Sequence, residues 1–315
     1  EAVVDRFASA ARLAAEAGCD GVEVNAGQHS LVRQFLSGLT NQRDDEWGLD
    51  RNLFARRVIA AVRAGAPDRI VGLRLSCDEL APWAGITPEQ APAIAADLVA
   101  SGVDYLVVVR GSIYSSEKTR PDFHEPTGFN IELCRMIRSV VDVPVVLQGS
   151  MVDVGQAEWA LGDDADRPAA CDAVEMTRAQ IADPDLVEKI GRDAVDEIRP
   201  CTRCNQTCQV RDVRNPIVTC IGEPTSGRET EDPDWYAPAV TPRDVAVVGG
   251  GPAGLEAARV AAIRGHRVVL IEREPQLGAG STGKNAGGFR HQFSNSANIE
   301  LSIESIALMK RFEEI

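Results

Sequence analysis

The sequence is short of basic charge. Its 33 Lys and Arg stand against 47 Asp and Glu, a formal net charge of −14. That balance argues against a nucleic-acid partner, because binding phosphates needs an excess of cations. Long apolar runs are missing too, and no stretch approaches the roughly 20 residues of a membrane-spanning helix. No signal peptide opens the chain, which starts at Glu1 inside a helical pattern, so a cytoplasmic protein is expected. Repeats and low-complexity tracts are absent. Cysteine is sparse over most of the length: of eight, four fall between 201 and 220. The others, Cys19, Cys77, Cys134 and Cys171, sit alone in apolar stretches and read as small buried hydrophobes. What is present is the composition of a globular protein with a real core, 44% hydrophobic and 25% charged. Its 315 residues have room for two domains.

The first 190 residues alternate strand and helix. β-Branched runs lie at Gly21–Asn25, Ile70–Leu75, Asp104–Val109, Val143–Leu147 and Asp172–Met176. Amphipathic segments separate them at 51–65, 87–101, 129–140 and 153–161, and further helices open the chain and follow Asp183-Pro184. Thr87-Pro-Glu-Gln has the form of a helix start: a Thr cap, Pro in the first turn and Gln three residues on. Alternation of this kind gives a parallel sheet, and five such units suggest an α/β barrel. A closed (β/α)8 barrel needs eight strands, so the fold class expected is the C-terminal part of a TIM barrel, strands 4–8.

Between Cys201 and Cys220 the chain becomes polar and cysteine-bearing. The spacing is C-x2-C-x3-C-x11-C over Cys201, Cys204, Cys208 and Cys220. Four thiolates suit a [4Fe–4S] cluster or a structural zinc, and spacing alone leaves both open. Disulfides are disfavoured without a secretory signal. After a linker rich in Pro, Thr, Glu and Asp comes a second βαβ unit. Strand Val245–Val248 leads into Gly249-Gly-Gly251-Pro-Ala-Gly254, a helix to about Arg264, and strand Arg267–Ile271 ending at Glu272. Glycines between a strand and a helix, with a carboxylate closing the next strand, form the dinucleotide fingerprint. Amides at the helix start meet pyrophosphate, and the carboxylate meets ribose hydroxyls.

These motifs together resemble the Old Yellow Enzyme, 2,4-dienoyl-CoA reductase and trimethylamine dehydrogenase family over residues 1 to about 275. Arg199-Pro-Cys-Thr-Arg-Cys-Asn-Gln-Thr-Cys is similar to that family's cluster loop, which implies [4Fe–4S] at Cys201, Cys204, Cys208 and Cys220. Gly18–Asn25, Gln34-Phe-Leu and Thr40–Gly48 are similar to its fourth-strand signature, and Gly72–Ser76 to its fifth. By that resemblance Arg74 lies against FMN, where a fixed cation stabilises charge on a reduced flavin. Its alternative reading is a salt bridge inside the barrel. Arg178 and the backbone at Gly149 would hold the FMN phosphate, with Ser150 standing where the family usually has arginine. The substrate pair, usually His/His or His/Asn, falls on Asn25 and Gln28, which can donate hydrogen bonds to a carbonyl but no proton at neutral pH. The family's tyrosine acid falls on Ser30, leaving His29 and Tyr114 as candidate acids. The Asn25–Leu31 variant resembles members associated with the mycofactocin redox system.

Gly249, Gly251, Gly254 and Glu272 would hold FAD, or ADP as in trimethylamine dehydrogenase. Beyond Glu272, Gly278–Arg290 looks like the second FAD loop of D-amino-acid oxidase relatives. The domains expected are a partial barrel for FMN and substrate (1–196), a cluster segment (197–225), a linker (226–242) and a partial Rossmann-like FAD/NAD(P) domain (243–315). The resemblance implies an NAD(P)H-dependent reductase of an activated C=C bond, with electrons passing from FAD through the cluster to FMN. An amine dehydrogenase is the second reading, disfavoured by the small number of tyrosines available for an aromatic cage. An electron-transfer fragment without catalysis is the third. Partners would be a small-molecule substrate and a nicotinamide cofactor, with assembly into a homo-oligomer left open.

Overall fold

The computed structural model describes residues 1–162, 168–209, 217–223, 225–228, 230, 237–275 and 277. The chain divides into two compact units, Glu1–Asn205 and Gln206–Ile315. In the first, α1 (Ala2–Glu16) leads into β1 (Gly21–Ala26), followed by α2 (Leu31–Leu36), α3 (Glu46–Leu49) and α4 (Leu53–Gly65). Then come β2 (Ile70–Ser76), α5 (Ala91–Val99), β3 (Tyr105–Val109), α6 (Ser116–Thr119), α7 (Ile131–Arg138), β4 (Val145–Leu147) and α8 (Val154–Leu161). The unit ends with β5 (Ala173–Val174), α9 (Thr177–Ala182) and α10 (Leu186–Gly191). All five strands pair in parallel and in sequence order, β1-β2-β3-β4-β5.

Strand alternation sorts the sheet's two faces. Val71, Leu73 and Leu75 of β2, Leu106 and Val108 of β3, and Val145 and Leu147 of β4 are buried in one core. Phe54, Val58 and Ile59 of α4, Ala91, Ala95 and Leu98 of α5, and Leu133 and Ile137 of α7 fill the same core. The opposite face carries Glu23 and Asn25, Gly72 and Arg74, and Tyr105 and Val107, in register across β1, β2 and β3. Gly72 is required there, since a Cβ would stand 2.1 Å from the Tyr105 ring.

One contact reveals the curvature. Arg74 on β2 reaches Glu175, just beyond β5, at 2.8 Å. In a flat sheet those strands would stand about 14 Å apart, three strand spacings. The sheet is therefore curled toward its polar face, as a barrel wall is.

Three expectations need correction. The helix expected from Thr87 starts at Ala91, after a turn in which Gln90 Oε1 accepts from the Thr87 amide at 3.3 Å. The reason is Pro92, which lacks the N–H that would bond back to Pro88 and so delays the regular helix. The fifth strand is two residues long where five were expected. Cys19 is exposed, at the end of α1, whereas Cys77, Cys134 and Cys171 are buried as expected. Burial pushes the Cys77 and Cys134 thiols far up, and that of Cys171 up to about 11, so they are inert packing groups.

The loop after β2 is pinned by a buried ion pair. Arg33 of α2 and Glu79 are each 1% exposed and bonded to one another. Glu79 Oε2 also accepts from Ser37 Oγ at 2.5 Å and from the Ile86 amide at 2.8 Å.

The second unit is a βαβ turn. β6 (Asp244–Val248) and β7 (Arg267–Ile271) are parallel, joined by α11 (Pro252–Ile263). Gly249 has φ +108°, a conformation open to glycine alone in practice. At Gly254 a Cβ would lie 1.9 Å from the Gly249 carbonyl oxygen, so the helix start can approach the loop only without a side chain.

Removing the Glu79 carboxylate strands a buried guanidinium. Glu79→Ala should cost about 3–5 kcal/mol of unfolding free energy, against under about 1 kcal/mol for Glu16→Ala in the exposed Arg12 pair. Denaturant titration reads both, and equal losses would contradict the assignment.

Candidate functional site

The carboxyl ends of β1 to β5 bring most of the expected residues to one rim. Asn25 lies next to the end of β1, with its side-chain oxygen accepting from the Gly27 amide at 2.8 Å. Gln28 donates from Nε2 to the Arg110 carbonyl at 3.3 Å, tying this loop to the end of β3. A Cβ at Gly27 would touch Val109 and Arg74 at 3.3 and 3.5 Å, so the loop folds across the polar face of the sheet. Ser30, in the position of the family's acid, is a helix cap: its hydroxyl accepts from the Arg33 amide at 3.1 Å and donates to the Gly27 carbonyl at 2.9 Å. His29 is exposed and Tyr114 is 66% exposed, on the short turn Ile113–Ser115 after β3. Neither is drawn into the polar network of the rim.

Arg74 sits between two carboxylates. Its Nε donates to Glu23 at 2.7 Å and one terminal nitrogen pairs with Glu175 at 2.8 Å. Burial alone would weaken its basicity, but Glu175 and Glu23 outweigh that and hold its pKa above the ordinary value. Tyr105 donates to the other Glu23 oxygen at 3.1 Å, and burial, then Glu23, push its phenol up to about 12. The salt bridge weighed as an alternative for Arg74 thus exists. It leaves the second terminal nitrogen for a ligand. Glu23 was legible from period-two alternation with Asn25; Glu175 was not, because it arrives from the far edge of the sheet.

A second group forms after β4 and β5. Ser150 has φ +56°, and its hydroxyl accepts from Arg178 at 2.5 Å. Arg178 also donates to Asn205 Oδ1 at 2.7 Å and to the Pro121 carbonyl at 2.9 Å. Every partner of this guanidinium among the described residues is neutral, so its charge is uncompensated. Arg203 stands near enough that burial, then the Arg178 charge, push its pKa down. Two half-buried cations lie close together here, Arg178 with neutral partners and Arg203 partly offset by Cys201 and Asp122, an arrangement suited to an anion.

The cysteine loop leaves the first unit from here. Cys201 and Cys204 belong to that unit and Cys208 and Cys220 to the second, all half-buried. The Arg203 amide donates to Cys201 Sγ and the Gly222 amide to Cys220 Sγ, both at 3.4 Å. Among the described residues no three His, Cys, Asp or Glu side chains are gathered as a metal site. Asn205, left-handed at φ +51° and buried, donates to the Arg120 carbonyl while accepting from Arg178, a role no spacing signals. In the second unit Glu272 accepts from the Gly250 amide at 2.5 Å, which fixes the carboxylate against the glycine turn. The Gly278–Arg290 loop lies outside the described residues.

A parallel, curled sheet flanked by helices, with its polar residues at the carboxyl rim, is a wall of the α/β barrel type. Residues 1–197 match the NADH:flavin oxidoreductase / NADH oxidase family. The chain belongs to that family. Residues 244–315 match the FAD dependent oxidoreductase family. Over 287 residues the chain is 40% identical to N,N-dimethylglycine/sarcosine dehydrogenase of Chromohalobacter salexigens, covering 88% of this chain and 40% of that protein. It is 34% identical to cinnamate reductase of Clostridium sporogenes, over 87% of this chain and 43% of that one. The solved structure of 2-naphthoyl-CoA reductase superposes with a TM-score of 0.77 at 29% identity, covering 88% and 42% of the two chains. The chain thus spans about two-fifths of the length of the relatives it matches. Among the described residues no helix is long and apolar enough to cross a membrane.

Asp183 anchors the entry to the cysteine loop. It accepts from Lys189 Nζ at 2.6 Å and from the Arg199 amide at 2.7 Å. Burial alone would raise its pKa, but these donors hold it below the ordinary carboxylate value. A depressed carboxylate stabilises the fold above its unfolded pKa of about 4 and loses that contribution as pH falls through the folded value. Asp183→Asn should therefore lose less stability than the wild type between about pH 5 and about pH 3. Parallel acid limbs in thermal unfolding would contradict this.

Proposed function

We propose that the chain is the central part of a flavin and iron–sulfur oxidoreductase that oxidises an N-methylated amine. The wall it folds would be strands 4–8 of a TIM barrel, followed by a cluster segment and the start of an FAD-binding domain. Arg178, Arg203, Ser150 and the Gly149 backbone fit an FMN phosphate, since Arg178 meets only neutral partners and Arg203 adds a second cation that Asp122 and Cys201 offset in part. Arg74 fits the pyrimidine edge through the terminal nitrogen that Glu23 and Glu175 leave unused. Cys201, Cys204, Cys208 and Cys220 have the donor chemistry of a [4Fe–4S] site, and amides directed at two of the sulfurs support thiolate character. Gly249, Gly251, Gly254 and Glu272 suit FAD or ADP at the helix start.

Bound FMN would supply the acceptor for a hydride leaving an N-methyl carbon. The chain's own residues then orient the amine: Asn25 and Gln28 offer amide groups at the end of β1, and neither competes for the substrate's proton. The observation that carries the direction of reaction is Ser30. Adding hydride to a C=C bond needs a proton for the second carbon, and the residue in the acid's position is engaged in capping α2. Removing hydride from an unprotonated amine leaves an iminium and needs no acid; water then gives formaldehyde and the demethylated amine. The 40% identity to a dehydrogenase of N,N-dimethylglycine and sarcosine supports the same direction. This reverses the order of the two readings taken from sequence.

Reduction of an activated C=C bond remains the second reading, supported by the likeness to cinnamate reductase, with Tyr114 or His29 then required as the acid. NAD(P)H belongs to that second reading as the electron source. The FMN-loaded protein should release formaldehyde from N,N-dimethylglycine with an artificial electron acceptor, and should not saturate cinnamate under NADH. Saturation without formaldehyde release would overturn the amine reading in favour of the second.

A further inference from the structure

Arg110 follows the last residue of β3, on the same rim as the substrate loop, and its carbonyl accepts from Gln28. Its side chain is 25% exposed. The guanidinium carbon lies over the Phe129 ring, 5.7 Å from its centre, a cation–π contact. Asp78 Oδ2 stands 3.2 Å from Nε, yet the alignment is poor and buried Nε has no hydrogen-bond partner among the described residues. Nor does either terminal nitrogen of Arg110 hydrogen-bond to any described residue. Arg74 differs, being held by Glu23 and Glu175, and so does Arg178, whose donors go to Ser150, Asn205 and Pro121.

We propose that Arg110 is the anchor for a carboxylate group on the substrate. With Asp78 on the Nε side and Phe129 in cation–π contact, the two terminal nitrogens are the donors that remain. Together they present two parallel N–H donors, the geometry that pairs both oxygens of a carboxylate. Asp78 offsets part of the positive field, so recognition rests on the shape of the fork more than on charge. An N-methylated amino acid and an unsaturated acid share this group, and the anchor fits either. The inference rests on reading the Asn25–Ser30 loop as the substrate side of the rim.

Calorimetric titration of the FMN-loaded protein tests it without turnover. The ligands are N,N-dimethylglycine and cinnamate, each against its neutral amide. At least one acid should bind about tenfold or more tightly than its amide, the scale of charge-assisted hydrogen bonds. Arg110→Gln should abolish that preference, and Arg110→Lys, which keeps the charge and loses the fork, should retain only part of it. Unfolding midpoints of both variants check that the rim still folds. An acid preference that survives in Arg110→Gln would overturn the proposal, as would equal binding of acids and amides by the wild type. Binding of N,N-dimethylglycine through Arg110 without formaldehyde release would instead sink the proposed reaction and leave the anchor standing.

Discussion

An arginine on one strand bonded to carboxylates from two others shapes the first unit. Arg74 is contacted by Glu23 from β1 and by Glu175 from beyond β5, the two edges of the sheet. Both contacts are satisfied only by a sheet curled toward its polar face. The curl turns the carboxyl ends of the strands into a rim, and the rim collects the Asn25–Ser30 loop, Arg110, Ser150 and Arg178. The same contacts set the electrostatics. One cation between two carboxylates leaves no positive surplus at Arg74, so a ligand there would meet directed hydrogen bonds and no net positive charge. A positive surplus lies instead at Arg178, whose partners are neutral and where a phosphate would neutralise it.

One side chain joins two loops of that arrangement. Arg178 bonds Ser150 after β4 and Asn205 in the cysteine loop, while Asn205 holds the Arg120 carbonyl. Asp183 secures the start of the cysteine loop through the Arg199 amide. The Arg203 amide donates to Cys201 Sγ while its side chain lies within the field of Arg178, so one residue touches both groups.

Much of this was legible because it is local. β-Branched runs located β1, β2 and β3 to within a residue, and the glycine turn with Glu272 located the βαβ unit as closely. The helix start misplaced at Thr87 shows one local signal overruled by another, since Pro92 removes a bond that the capping pattern presupposes. Long-range chemistry was not legible. Nothing in the sequence pairs Arg74 with Glu175, Arg33 with Glu79, or Arg178 with Asn205, because each pair is made by the fold. Ser30 was seen as a departure from the family's acid, but its service as a helix cap came only from the structure. Arg110 was missed because an arginine at a strand's end carries no spacing signature.

The rim built around this curled sheet would bind a flavin by its phosphate through Arg178. Fluorescence titration of the flavin-free protein with FMN and with riboflavin, in wild type and Arg178→Ala, measures that directly. FMN should bind wild type at least about tenfold more tightly than riboflavin does, as charge-assisted hydrogen bonds to a phosphate require, and the preference should disappear in the variant. Equal affinity for the two flavins in wild type, or an FMN preference untouched by Arg178→Ala, would contradict it.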